Sequence, residues 1–285
     1  MRVTLLGTGM PQPDPARRGP SQVIDVRGEL MLVDCGAGTL YRLLEAGYDG
    51  RAIRHIALTH LHSDHTTGLA DLLWAGWTQH WWTSPPSVVG PRGTAELAHR
   101  LVHAFDYDVR VRTLEGSLDA AVLMPSVTEV DDGWAIEDSA WRLAAFRVDH
   151  APVDQAFGFR LDTDHGAVVV SGDTRRSANL VTHARGADLL IHEVIWRAGM
   201  ERLIESAEDP IQRARWERVL GYHTPAEDVG ALATEAAASA VVLSHIIAPG
   251  GTPADLINDA RRAYDGPLTV GADLATFEVD RRAQK

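Results

Sequence analysis

The chain has 285 residues and a single cysteine, Cys35, so a disulfide within the chain is excluded. We expect Cys35 to be a small buried residue that follows a strand. No apolar stretch approaches the roughly 20 residues that a membrane-spanning helix needs. The apolar run near the start, Val3 to Leu6, is also too short for a signal peptide. We therefore expect a cytoplasmic protein without membrane contact.

Positive charge is also scarce. The chain has 27 lysines and arginines against 39 aspartates and glutamates, a formal net charge of -12. This balance disfavours a broad basic surface for long nucleic acids or anionic membranes. It does not exclude a small anionic substrate, because bound metal ions can dominate the local field.

Internal repeats and low-complexity linkers are absent as well. Apolar residues make up 45% of the chain and charged residues 23%, which is ordinary for a globular protein that buries a full core. Strands with alternating apolar residues precede helices twice along the chain. This order predicts one domain, residues 1–285, in which two sheets lie between helices.

One stretch is dense in metal-binding side chains: Thr59-His60-Leu61-His62-Ser63-Asp64-His65. Imidazole nitrogens and carboxylate oxygens are common metal ligands in proteins. Apolar residues 56–58 predict a buried strand before this stretch, and the apolar stripe of residues 68–74 predicts a helix after it. The donors therefore belong to a strand-to-helix loop, from which they can all point at a metal.

Three further donors stand where later strands end. His150 follows a strand predicted over residues 141–148, and Pro152 then stops the ladder. Asp173 and His245 follow two more apolar runs, residues 167–170 and 241–244. The two carboxylate oxygens of Asp173 can contact two cations, and a buried aspartate without such partners would be costly.

The order His-x-His-x-Asp-His, with a later His, Asp and His, resembles the metal-binding signature of the metallo-β-lactamase superfamily. The resemblance covers nearly the whole chain and implies an α/β (α+β) fold, a four-layer αββα sandwich with the metals at one edge. It implies two divalent metal ions, with zinc as the first expectation and manganese or iron as alternatives. One ion is expected on His60, His62 and His150 and the other on Asp64, His65 and His245, with Asp173 bridging them.

Other motifs resemble one branch of this superfamily, which contains ribonuclease Z-like phosphodiesterases and a group of arylsulfatases. They are Gly7-Thr8-Gly9 with its proline-rich loop, Arg18-Gly19-Pro20-Ser21 and Val33-Asp34-Cys35-Gly36. Three later segments are closer to the arylsulfatase-like members: residues 68–72, 76–77 and 90–94.

The same resemblance implies two residues that act beside the metals. His223 is expected to be catalytic, contacting the substrate anion or protonating the leaving oxygen. Glu193, in a His-Glu pair typical of ribonuclease Z-like proteins, is expected near the site but not among the metal ligands. Asp64 is expected to matter for catalysis as well as for metal binding.

These features predict a hydrolase of small anionic esters, an aryl sulfate or a phosphodiester, in which a metal-bridging hydroxide attacks. A ribonuclease Z-type nuclease of tRNA 3′ ends and a lactonase are the alternatives among enzymes. Against the nuclease stand the acidic charge and the acidic residues of segment 106–139, where a basic tRNA-binding arm would be expected. A degenerate fold used only for binding is the alternative from another class. The resemblance also implies a homodimer.

Several segments leave two interpretations open. The glycine-rich turn Asp34–Gly38 could bind phosphate, or Asp34 could brace the metal loop. The tryptophans at 74, 77, 81 and 82 could form a wall beside the metals or pack in a core or interface. Residues 196–220 could be a lid or an oligomer contact. Two local predictions are a strand at Val109–Arg112 and a capping box at Thr224–Glu227.

Overall fold

The computed structural model describes residues 1–116 and 118–281. Their strands form two seven-stranded sheets. The first half of the chain supplies β1 (Arg2–Gly7), β2 (Ser21–Val26), β3 (Glu29–Val33), β4 (Ile53–Ala57), β5 (Ser87–Gly90), β6 (Val127–Glu129) and β7 (Ala135–Glu137). The second half supplies β8 (Trp141–His150), β9 (Val153–Thr163), β10 (Gly166–Val170), β11 (Leu189–Ile195), β12 (Val241–Ile247), β13 (Leu268–Val270) and β14 (Thr276–Glu278).

The first sheet has the strand order β14-β1-β2-β3-β4-β5-β6, and the second has the order β13-β12-β11-β10-β9-β8-β7. Both sheets are mixed, since β3, β4, β5 and β6 run parallel in the first and β10, β11, β12 and β13 in the second. The carboxyl ends of parallel strands meet at one sheet edge, which is where ligand sites form in α/β sheets. Strands β4 and β10 lead to donors predicted from sequence, and β12 contains His245 two residues before its end.

The helices lie on the outer faces of the sheets. The described α-helices are α1 (Thr39–Glu45), α2 (Ser63–Thr66), α3 (Gly68–Thr78), α4 (Thr94–His103), α5 (Asp106–Leu114), α6 (Ala178–Ala184), α7 (Arg197–Ser206), α8 (Pro210–Tyr222), α9 (Ala226–Glu235) and α10 (Pro253–Ala260). One hydrophobic core fills the space between the sheets. A second core packs helices against the outer face of the second sheet, and a third packs helices against the outer face of the first. This arrangement confirms the predicted αββα sandwich. Within the described residues, no helix is both long and apolar enough to cross a membrane.

Two local predictions are wrong. Residues 109–112 lie in helix α5, where Arg112 Nε donates to the carboxylate of Asp108 four residues earlier. Four alternating residues are too few to distinguish a strand from an exposed helix. The capping box at Thr224 does not form either, because its Oγ1 donates to Thr174 O across the site. A tertiary contact has replaced the local one.

The tryptophan cluster packs in the outer core of the first sheet. Trp77 and Trp82 are buried there, and Trp74 and Trp81 pack against the same cluster. The Trp82 ring fills the space over Gly76, where an added Cβ would lie 1.8 Å from a ring carbon. The core interpretation is therefore the one the structure supports.

Candidate metal centre

The segment after β4 carries the first four donors, with His60 and His62 in a loop and Asp64 and His65 in α2 rather than in the loop predicted for all four. Asp34 fixes the shape of this segment. Asp34 Oδ1 accepts hydrogen bonds from the Thr59 backbone N at 2.8 Å and from Thr59 Oγ1 at 3.0 Å. Its Oδ2 accepts from Nδ1 of His65 at 2.8 Å. Gly36 allows the turn to approach the loop, because a Cβ there would lie 2.3 Å from Asp64 O. The glycine-rich turn thus braces the metal loop, as one of the two interpretations predicted.

The first group of donors is His60, His62, His150 and Asp173, whose ligand atoms lie within 4.8 Å of one another. His60 Nε2 is 2.9 Å from His62 Nδ1. Both His60 Nε2 and His150 Nε2 are 3.8 Å from Asp173 Oδ2. Three imidazole nitrogens thus surround one space, with a carboxylate at its side.

The second group is Asp64, His65 and His245, whose ligand atoms also lie within 4.8 Å of one another. Asp64 Oδ2 is 3.6 Å from His65 Nε2 and 3.4 Å from His245 Nε2. Asp173 reaches this group too, with Oδ1 3.4 Å from His65 Nε2 and Oδ2 3.3 Å from His245 Nε2. The structure therefore brings all the predicted ligands together and places Asp173 between the two groups.

These residues fit divalent cations. His65 Nε2 and Asp173 Oδ1 are buried and have no hydrogen-bond partner among the described residues, although buried polar atoms are normally paired. Burial holds the pKa of His60 well below its usual range, so it is neutral, which is the metal-binding form. Burial opposes protonation of His65 as well, yet the carboxylates of Asp173 and Asp34 raise its pKa well above the usual range. The site therefore favours positive charge between these groups.

In three candidate ligands, the ring nitrogen that faces away from the candidate metal site has a hydrogen-bonding partner. His65 Nδ1 donates to Asp34, and His60 Nδ1 lies 3.1 Å from Thr59 Oγ1. His150 Nδ1 donates to the carbonyl oxygen of Tyr222 at 3.2 Å. Such partners fix the orientation of a metal-binding imidazole. The sequence indicated Asp34 but not Thr59 or Tyr222; the Tyr222 contact is made through a backbone carbonyl, which leaves no residue-type signal.

His223 and Glu193 stand beside both donor groups. The His223 ring centre lies 5.2 Å from that of His150 and 5.4 Å from that of His245. Nδ1 of His223 is 3.3 Å from Glu193 Oε2. Burial lowers the pKa of His223, but the carboxylates of Glu193 and Asp173 together outweigh this and raise it above its ordinary value.

Glu193 lies inside β11, two residues before the strand ends. Its Oε1 accepts hydrogen bonds from the backbone N of Thr174 at 3.2 Å and of Thr224 at 2.8 Å. One carboxylate thereby joins the loop after Asp173 to the loop that carries His223.

Clefts open on the two sides of the donor groups. One of about 300 Å³ is lined by Asp64, by Arg17 and Arg18, and by the proline-rich loop. Another of about 430 Å³ is lined by His150, by the end of β8 and by the start of β9. A substrate larger than a simple ester could therefore extend away from the donors.

An αββα sandwich with histidines and aspartates in two adjoining groups at one edge defines the metallo-β-lactamase class of proteins. A family model described as "Anti-Pycsar protein Apyc1" matches residues 1–202. Ribonuclease Z of Mycolicibacterium gilvum (strain PYR-GCK) is 35% identical over 286 residues, covering 98% of this chain and 96% of that protein.

Two solved structures share the fold. YhfI from Bacillus subtilis has a TM-score of 0.74 at 17% identity and covers 97% of this chain and 98% of that one. The short form of human tRNase Z has a TM-score of 0.69 at 24% identity, covering 98% and 99%. The chain belongs to the Apyc1 family within the metallo-β-lactamase superfamily and is a homologue of ribonuclease Z. The superfamily predicted from sequence is confirmed, and the chain is a metal-dependent hydrolase by family.

Proposed function

We propose that the protein is a dinuclear phosphodiesterase that cleaves RNA, with ribonuclease Z-type chemistry. The observation that carries this is the place of Asp173, whose two oxygens lie 3.3 to 3.8 Å from nitrogens of both donor groups. One carboxylate in that position suits two cations side by side. Full-length similarity to a ribonuclease Z favours RNA over the small esters expected from the sequence.

His60, His62 and His150 would hold one ion, Asp64, His65 and His245 the other, and Asp173 both. Zinc suits the five imidazoles, and manganese or iron the added carboxylates. Two bound ions would supply a water of lowered pKa and would neutralise charge on the phosphoryl oxygens.

The chain's own residues supply the remaining chemistry. Glu193 Oε2 lies 3.3 Å from His223 Nδ1 and favours a proton on that nitrogen, which would leave Nε2 to face the substrate. A protonated His223 can donate to the leaving oxygen as the bond to phosphorus breaks, and Glu193 stabilises the cationic imidazole before that step. The burial of both residues strengthens this pair.

A small-ester hydrolase is the second candidate. The net negative charge of the chain and the acidic segment 106–139 favour a small-ester substrate, because no basic arm that could bind RNA follows β5 in the sequence. An aryl sulfate or a small phosphodiester would need only the metal centre and His223. A homodimer also stays a proposal, since nothing in a single chain tests it.

Parallel turnover assays test these proposals. The zinc- and manganese-loaded proteins would be given a tRNA precursor, bis-p-nitrophenyl phosphate, p-nitrophenyl sulfate and a simple lactone. Metal-dependent cleavage of the precursor, lost on chelation and in Asp173→Asn, supports the proposed function. Turnover of the sulfate or lactone alone would overturn it. Turnover of the small diester but not of RNA would favour the second candidate.

A further inference from the structure

Helix α8 leads straight into the metal centre, because it ends at Tyr222, directly before His223. The Tyr222 carbonyl accepts the hydrogen bond from His150 Nδ1. The Tyr222 ring centre lies 5.0 Å from that of His150 and 4.9 Å from that of His223. Tyr222 is partly exposed, so its ring stands at the opening of the site.

Arg215 and Arg218 lie on the same face of α8 as Tyr222. Their spacing is i, i+3 and i+7, which places the three side chains in a row along the helix. Both guanidinium groups act on the Tyr222 hydroxyl, since they lower its pKa against the opposing and larger effect of burial. The row covers about 10 Å at 1.5 Å per residue.

The charge on this row is uncompensated. Neither arginine forms an ion pair with a carboxylate within residues 1–116 and 118–281, and both are exposed. Arg197, at the start of the preceding helix, is by contrast paired with Glu227 and Asp228. In a chain of net charge -12, Arg215 and Arg218 are thus two cations without a carboxylate partner on this face of α8, and the Arg215 guanidinium lies 5.3 Å from the centre of the Trp216 ring.

We propose that Arg215, Arg218 and Tyr222 form a binding row for a polynucleotide, in which the arginines contact backbone phosphates and the ring stacks on a base next to the scissile bond. This deepens the proposed function and rests on it. Guanidinium groups bind phosphate oxygens through paired hydrogen bonds. Stacking on an aromatic ring is the usual way that proteins hold an unpaired base.

The length of the row selects the substrate class. A small diester at the metals ends near Tyr222, whereas Arg218 and Arg215 lie one and two turns further along α8. A row of about 10 Å spans roughly three nucleotides of a strand whose bases are stacked at 3.4 Å each. Only a chain of nucleotides can reach the metals and both arginines together.

The test compares the double variant Arg215→Gln/Arg218→Gln with Arg213→Gln in the metal-loaded full chain. Arg213 lies on the same helix but donates to Ala207 O, away from the row. For a labelled single-stranded RNA we expect KM to rise about tenfold in the double variant and the salt dependence of kcat/KM to fall by about 1.4 log units per log unit of salt. Turnover of bis-p-nitrophenyl phosphate should be unchanged, and Arg213→Gln should resemble the wild type.

Tyr222 is tested by Tyr222→Phe and Tyr222→Leu, with metal content measured in each. Phe should keep the RNA KM of the wild type, and Leu should raise it severalfold, because stacking needs the ring and not the hydroxyl. If the double variant and Arg213→Gln give the same RNA KM, the binding row is overturned while the proposed function stands. If the wild type cleaves no RNA, the proposed function fails. In that case the RNA affinity, measured by fluorescence anisotropy, tests the binding row. Equal affinity in the wild type and the double variant would overturn it.

Discussion

The carboxylate of Asp34 lies 2.8 Å from Nδ1 of His65, on the opposite side of the imidazole from the candidate metals. Asp34 adopts a left-handed backbone conformation, with φ of 60°, at the end of β3. Few side chains are held in this region without a local reason. Here the conformation places one carboxylate against both Thr59 and His65, so the ends of the metal loop share one anchor.

Asp34→Asn should therefore weaken metal binding without removing a ligand. The amide cannot supply the negative charge that supports His65, and loss of such a partner typically costs 10–100-fold in metal affinity. Competition with a chelator of known affinity measures this in the wild type and variant. Asp25→Asn is the matched control, since Asp25 accepts only the Gly28 backbone N in an exposed hairpin turn. Equal affinity in both variants would show that Asp34 does not orient the ligand.

Metal removal should lower the melting temperature. The proposed cations would bind only the folded chain, where two carboxylates and five imidazoles converge. At a 1,000-fold excess over Kd, ligand binding adds about 4 kcal/mol, which corresponds to a rise in Tm of roughly 10 °C for a chain of this size. Differential scanning calorimetry with zinc and with chelator measures the shift. Asp173→Asn should abolish most of it, and an unchanged shift in that variant would exclude a bridging role.

The candidate ligands were predictable because they lie at or near the ends of strands, although His150 is the last residue of β8 and His245 lies inside β12, two residues before it ends. In the sequence, β4, β10 and β12 can be recognised as apolar runs followed by histidine or aspartate. In the structure, the sandwich brings the ends of these strands to one edge. The extent of one domain over residues 1–285 stays a prediction.

What the sequence did not show depends on contacts between distant segments. Thr224 has the pattern of a capping residue, but Thr174 O and the Glu193 carboxylate compete successfully for its donors. The support of His150 by the Tyr222 carbonyl is a second case, since any residue at 222 has a carbonyl oxygen. The net charge of the whole chain also does not show the local excess of arginine on α8, which is a reason to consider RNA as the substrate.

Glu193→Gln should lower kcat by about 10–100-fold with little change in KM, because general acid catalysis contributes roughly 10²–10⁴-fold. The carboxylate raises the pKa of His223, so the neutral amide should lower it. A smaller fraction of His223 is then protonated near neutral pH. The alkaline limb of the plot of kcat against pH should therefore move to lower pH. Glu235→Gln, which breaks an exposed pair with Arg176, is the control. An unshifted limb with unchanged kcat would remove Glu193 from the mechanism.

Cys35 should not react with thiol reagents in the folded protein. It is fully buried, and burial raises the pKa of its thiol to about 12. The thiolate is the reactive form, so at pH 8 only about one thiol in ten thousand is ionised. Labelling with Ellman's reagent should be absent in buffer and complete in guanidinium chloride. The chain has one cysteine, so all labelling reports this site, and rapid reaction of the native protein would contradict its burial.

Asp188 should contribute stability that is lost in acid. Its Oδ2 accepts from Ala167 N at 2.8 Å and from Arg281 at 2.6 Å, which ties the starts of β10 and β11 to the end of the described chain. Burial opposes ionisation, but the hydrogen bonds from Arg281 and Ala167 N, together with the positive charge of Arg281, outweigh it and lower the pKa of Asp188.

Because the folded pKa lies below the unfolded value of about 3.9, this stability is present above about pH 4 and declines as pH falls through the folded pKa. Urea unfolding at pH 7 should show Asp188→Asn to be about 1 kcal/mol less stable than the wild type, and the difference should shrink at pH 3. Glu278→Gln, which breaks only an exposed pair with Arg2, should differ little from the wild type at either pH. A loss in Asp188→Asn that is the same at both pH values would show that packing, and not the charge of Asp188, stabilises this corner.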